Sequence, residues 1–99
     1  MLVSNGWNVG FNEFHIDFSR PFKEQIFELN EDLLQLSKQH YILDIGWYPE
    51  ADPDGSIKTV VIKDHDWMMP VIQFIDRSYP EFADHLKYIA ETDPESINK

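Results

Sequence analysis

The sequence predicts an α+β domain. The expected form is a mostly antiparallel sheet of about four strands, in the order β-α-β-β-β-α, with two amphipathic helices packed on one face. Three observations predict it. Tyr41–Lys63 reads as two strands joined at an acidic turn, two other stretches carry apolar residues at helical spacing, and the 99 residues contain no repeat, low-complexity tract or linker. Residues 1–99 are therefore expected to form a single domain, with the polar stretch 92–99 as a frayed tail.

In chain order, residues 1–10 are polar and rich in Gly and Asn, with Trp7 and Val9 as anchors. Phe14, Ile16 and Phe18 alternate with Glu13, His15 and Asp17, which predicts a half-buried strand over about residues 12–18. Trp7, Val9 and Phe11 share its parity and leave room for an earlier start. Ser19-Arg20-Pro21 then opens a helix, with Pro tolerated in the first turn. Phe22, Ile26, Leu29, Leu33 and Leu36 recur at spacings of 4, 3, 4 and 3, one helical face, so the helix is expected to run to Gln39 or His40. Its apolar stripe is read as covering the sheet; filling a partner's groove is the other use of such a stripe.

Tyr41, Leu43, Ile45 and Trp47 share one face of an extended chain, and Ile42, Asp44, Gly46 and Tyr48 share the other. Ile57, Thr59 and Val61 alternate likewise with Lys58, Val60 and Ile62. Asp52-Pro53-Asp54-Gly55 supplies Asp, Pro and Gly where a type I turn takes them, making the two strands antiparallel neighbours. Residues 64–70 connect onward. Val71–Arg77 suits either a helical turn or a strand; its short length and the preceding Pro70 favour a further strand. Ser78-x-x-Glu81 is a capping box with Pro80 in the first turn. Phe82, Leu86 and Ile89 repeat behind it, predicting a second helix to about Glu91.

Charge and composition narrow the function. With 42% hydrophobic and 14% aromatic residues the chain can close a core. It has no cysteine, hence no disulfide, thiol nucleophile or thiolate zinc site, which suits a reducing cytoplasm. No apolar run approaches ~20 residues, and Met1-Leu2-Val3-Ser4-Asn5 lacks the basic start and apolar core of a signal peptide, so a cytoplasmic location is expected. The net charge is −10, from 18 acidic and 8 basic residues. That balance disfavours nucleic-acid binding and favours a basic partner, although plain solubility also accounts for it.

The candidate chemistry does not assemble a catalytic or metal site. Glu50, Asp52, Asp54 and Gly55 occupy the first, third, fifth and sixth places of a calcium loop, but Val61 stands at the twelfth, where a bidentate Glu is needed. Asp64-His65-Asp66 places its side chains on alternate sides of an extended chain, which does not build a dyad. His15, His40, His65 and His85 show no metal-binding spacing, and the serines lack a nucleophile elbow. Asp44, in mid-strand, is either a partner contact or simply exposed. The chain is read as non-enzymatic, with no cofactor, metal or small-molecule substrate. What remains is a surface: Glu50, Asp52, Asp54, Asp64 and Asp66 flank the hairpin strands, with Tyr48 and Trp67 as aromatic anchors for a basic protein. Trp47, by its parity, is expected in the core.

The pattern Gly46-Trp47-Tyr48-Pro49-x-x-Asp52-Pro53-x-Gly55, followed by Asp66-Trp67-x-x-Pro70, resembles small bacterial immunity proteins. These include the CdiI type, which protects cells from their own contact-dependent growth-inhibition toxins. The resemblance spans roughly Leu43 to Ile89 and rests on turn and aromatic residues. It implies a cytoplasmic, non-enzymatic inhibitor that binds a cognate toxin domain, often a nuclease, and blocks its active site or substrate groove. The alternatives are an interaction or homodimerisation module unrelated to toxins, and an enzyme of unrecognised type.

Overall fold

A computed structural model describes residues 7–91. It contains five strands, β1 (Asn8–Asn12), β2 (Leu34–Lys38), β3 (Tyr41–Tyr48), β4 (Ser56–Lys63) and β5 (Ile72–Asp76), and one α-helix, α1 (Tyr79–Glu91). The strands form an open antiparallel sheet in the order β1-β2-β3-β4-β5, each pairing with its neighbour in the chain. The α+β class and the antiparallel sheet match expectation. The strand count and the number of helices do not. The expected tail 92–99 lies outside the described residues.

The hairpin at the centre follows the sequence closely. Tyr41 pairs with Lys63 and Tyr48 with Ser56, and Gly55 N–H donates to the Asp52 carbonyl at 2.9 Å to close the turn. The backbone amide of Asp54 donates to the Asp52 carboxylate at 2.8 Å, the local bond that makes Asp a turn residue. Trp47 is fully buried, and its indole N–H donates to the Asp52 carbonyl at 2.7 Å, tying the tip to the core. The segment 71–77 resolves as β5, and the capping box is present, with Ser78 Oγ 2.8 Å from Glu81 Oε1.

The long first helix is not formed. Residues 19–40 contain two 3-10 turns, Phe22–Glu24 and Ile26–Glu28, then an extended stretch and β2. Pro21 sits at ψ 139° and Gln25 at φ −137°, outside the helical region. Gln25 is buried, and its amide takes over the helix's hydrogen bonding: it accepts from Asp17 N–H and donates to the Asp17 and Arg20 carbonyls. The apolar stripe still faces the core, because Leu29 and Leu33 are buried from the loop and Leu34 and Leu36 are buried from β2. The first strand is likewise displaced. Pairing occupies Asn8–Asn12, and only Glu13 N–H, donating to the Leu33 carbonyl at 2.7 Å, carries it beyond Asn12. Phe14, Ile16 and Phe18 reach the core from irregular backbone.

The two faces of the sheet differ. One face carries Leu36, Leu43, Ile45, Trp47, Ile57, Val61 and Ile72, covered by Phe82, Leu86 and Ile89 of α1 and by the aromatic residues of 14–22. Phe14 stacks on Phe82 with ring centroids 5.5 Å apart, and Phe22 meets Trp47 edge-on at 4.7 Å. The other face carries Asp44, Tyr48, Lys58, Val60, Ile62, Gln73 and Ile75. Val60 and Ile62 are buried there, while Ile75 is 61% exposed. This second face is therefore covered in part and open in part.

Candidate functional site

The connection from β4 to β5 shapes the site. Asp64 and His65 both adopt positive φ, 54° and 61°, a left-handed reversal that turns the chain back from the end of β4. Met68 N–H donates to the Asp66 carboxylate at 3.3 Å, and Val71 N–H rejoins the sheet at the Val61 carbonyl at 2.8 Å. Trp67, Met68 and Pro70 thereby become one wall of a cleft whose floor is Asp44, Tyr48, Lys58, Val60 and Gln73. Its volume is about 290 Å³.

Asp44 lies half-buried in the cleft between Gln35 on β2 and Val60 on β4, which are its register partners. Burial, with the charge of Asp32 second, lifts its carboxyl above the ordinary value of 3.8; a hydrogen bond from Gln35 and the ammonium of Lys58 oppose the shift. Tyr48 is raised above 10.0 first by burial and then by Asp44, Glu31 and Asp32. Three carboxylates therefore act on this small volume. Lys58, the cation that opposes the shift of Asp44, holds its Nζ 5.4 Å from the centre of the Tyr48 ring.

The raised carboxyl has a measurable consequence. The cost of keeping Asp44 charged in the fold is fully present above its folded pKa. It disappears as the pH falls from there to the unfolded value near 3.8. Asp44→Asn is expected to raise the thermal midpoint at pH 7, and the gain should shrink steadily as the pH is lowered towards the unfolded value. A gain that stayed constant with pH would place its origin outside the ionisation of Asp44.

The predicted partner-binding residues are not one cluster. Glu50, Asp52 and Asp54 occupy the tip after β3, whereas Asp64 and Asp66 lie past the far end of β4. The eight residues of β4 separate them, roughly 25 Å at ~3.3 Å per residue. Glu50, exposed at the tip, accepts from Glu31 N–H at 3.2 Å. Asp64 stands 3.8 Å from His40 Nδ1, at the turn joining β2 to β3. Only Tyr48 and Trp67 of the seven line the cleft. Lys58, Val60, Met68 and Gln73 went unnoticed in the sequence, although Lys58 and Val60 share a parity that sets them opposite Gly46 and Asp44.

A second polar pair was also missed. His85 Nδ1 lies 2.9 Å from Asp76 Oδ2, and its ring stacks on Phe74 at 3.8 Å. Asp76 is buried, so the pair fastens α1 to β5 from inside the layer. Asp76 shares the inward parity of Ile72 and Phe74, the signal that marks it as a buried carboxylate in need of a partner. Among the described residues no group of three His, Cys, Asp or Glu side chains is placed to hold a metal ion, and no helix is long and apolar enough to cross a membrane.

Comparison with protein-family models, with characterised proteins and with solved structures finds no match to this chain.

Proposed function

We propose that the chain is an immunity protein. It is a non-enzymatic inhibitor that binds a cognate toxin domain, a basic nuclease, and occludes its active site or substrate groove. The observation that carries this reading is the second face of the sheet. Tyr48, Trp67, Met68 and Ile75 are exposed there beside a surplus of carboxylates, in a chain of net charge −10. Aromatic and Met side chains supply desolvated contact area, and the acidic groups steer and pair with Lys and Arg. The two acidic ends of β4, roughly 25 Å apart, fall within one footprint, because a standard interface covers about 800 Å² per partner, a patch about 30 Å across.

The test is co-expression with the carboxy-terminal domain encoded by the adjacent upstream gene, scoring growth rescue and co-purification. Rescue with a one-to-one complex is expected; a domain that is not toxic, or toxicity without rescue, overturns the reading. In that complex Trp67→Ala is expected to cost about 2 kcal/mol of affinity or more, as central aromatic anchors do. Asp64→Lys and Asp66→Lys together should slow association about tenfold at low salt.

A second reading, an interaction or homodimerisation module unrelated to toxins, draws on the two open sheet edges. β1 is exposed along its length, and β5 presents Ile75 at the other edge. A monomer by light scattering across a hundredfold range of concentration would exclude the homodimer.

A further inference from the structure

We propose that the cleft on the second face receives a single arginine side chain of the partner, whose guanidinium takes the place now held by the ammonium of Lys58. The inference rests on the reading above only for the owner of that arginine; the preference of the cleft for a guanidinium stands on its own geometry.

The size of the cleft suits a side chain. At about 290 Å³ it lies just under the roughly 300–1,000 Å³ of small-molecule sites. Its walls suit a cation. Tyr48 and Trp67 offer ring faces and Met68 a polarisable thioether, and a positive charge over such faces is held by the ring quadrupole. Lys58 already demonstrates the preference, with its Nζ drawn to 5.4 Å from the Tyr48 ring centre.

Lys58 does not use up the negative charge. Asp44 stands in the cleft beside Lys58, and Asp32 and Glu31, outside the lining, add negative potential at Asp44 and Tyr48. The surplus excludes an anionic occupant. It also distinguishes the two cations. A guanidinium is planar, stacks on aromatic rings, sheds water more easily than an ammonium and grips a carboxylate through two parallel N–H donors. Asp44 accepts from Gln35, which uses part of an acceptor capacity of about four sites. Lys58 sits on the neighbouring strand, opposite Gly46, where its long stem can swing its charge outward to water when an arginine enters. The internal cation is thus a removable stand-in, one that keeps the cleft from collapsing or gathering bulk cations while the partner is absent.

The experiment titrates the full, isotope-labelled chain with N-acetyl-arginine methylamide, following the Trp67 indole N–H by nuclear magnetic resonance. The lysine analogue and inorganic phosphate serve as comparisons. A saturable shift with a Kd on the order of millimolar is expected for the arginine probe. The lysine probe should bind several-fold more weakly, and phosphate should not bind. Asp44→Asn should weaken the arginine probe about tenfold, Lys58→Met should tighten it several-fold by removing the competitor, and Asp84→Asn on α1 should leave it unchanged. The sign of the Lys58 effect is decisive. Loss of binding in Lys58→Met would make Lys58 the recognition group, and it would overturn the proposal. So would an unchanged Kd in Asp44→Asn, or shifts that never saturate and spread over the whole acidic surface. If Asp44→Asn loses spectral dispersion, Lys58→Met decides alone, tightening in favour and weakening against. Intact arginine binding with failed growth rescue would remove the toxin reading and leave the cleft, and rescue without arginine binding would do the reverse.

Discussion

Trp47→Ala is expected to lower the unfolding free energy by about 3–5 kcal/mol, the range for truncating a large buried aromatic side chain. A domain of this size holds only about 5–15 kcal/mol in all, so the variant should be close to half-unfolded in the least stable case. Three losses add at this position. The ring is fully buried, lies opposite Ile57 and meets Phe22 edge-on at 4.7 Å, so its removal opens a cavity between β3, β4 and the 3-10 turns. The indole N–H that held the Asp52 carbonyl at 2.7 Å is gone, leaving that acceptor with the Gly55 N–H alone. The tip that carries Glu50, Asp52 and Asp54 also loses its anchor. Trp47→Phe separates the terms: it keeps a ring and should cost roughly half as much, most of it from the lost hydrogen bond. Urea unfolding measures both, with the midpoint falling and the slope unchanged. A cost below about 1 kcal/mol for Trp47→Ala would show that the site is not the closed core that its burial indicates.

The hairpin around Trp47 is legible in the sequence because its determinants are local. Asp52, Pro53 and Gly55 specify the turn, and strict alternation on either side specifies which face each residue takes. Asp44 and Tyr48 fall on the second face for the same reason. Segment 19–40 is not legible in that way. Its 4, 3, 4, 3 spacing marks which residues are buried, and those residues are buried or half-buried in the fold. The path that buries them is decided elsewhere, because β3 needs a second partner. Leu34–Lys38 supplies it through the pairs Leu34 with Ile45 and Leu36 with Leu43. A strand two residues from the end of its neighbour, joined through Gln39 at φ 56°, outweighs a helical preference worth only tenths of a kcal/mol per residue.

The cleft was half legible. Tyr48 and Trp67 are recognisable as aromatic residues beside acidic loops, but their meeting depends on the left-handed pair Asp64 and His65 reversing the chain. Neither is glycine, so the usual marker of such a reversal is missing. The five acidic loop residues flank the hairpin strands as expected but do not meet, for a simpler reason. A hairpin brings its strands together and keeps its two ends a strand length apart, so acids after β3 and acids after β4 end up at opposite poles. Lys58 is invisible as a site residue until Tyr48 and Asp44 are seen across the sheet from it.

Gly46→Ala is the companion to the Trp47 change, with an expected loss of about 3 kcal/mol, the upper part of the range for overpacking. A Cβ at position 46 would run into the Glu31 carbonyl group, 2.8 Å from its carbon, and would lie 2.9 Å from the Tyr48 ring. The ring can turn; the carbonyl is backbone. It is held on both sides by Trp47 N–H donating to the Asn30 carbonyl at 2.8 Å and by Leu33 N–H donating to the Ile45 carbonyl at 3.0 Å. Making room for one methyl group therefore opens the crossing of residues 30–33 over β3. The gain from a less flexible unfolded chain, about 0.4–1 kcal/mol for Gly→Ala, is too small to offset that. Urea unfolding gives the size of the loss, and amide exchange gives its location: the Trp47 and Leu33 amides should lose protection well before those of β4. The displaced Tyr48 ring should also weaken arginine binding in the cleft, since Gly46 lies directly opposite Lys58. A variant as stable as the parent, with both amides still protected, would mean that the crossing is loose and that Tyr48 is positioned by something other than the close approach of Glu31 to Gly46.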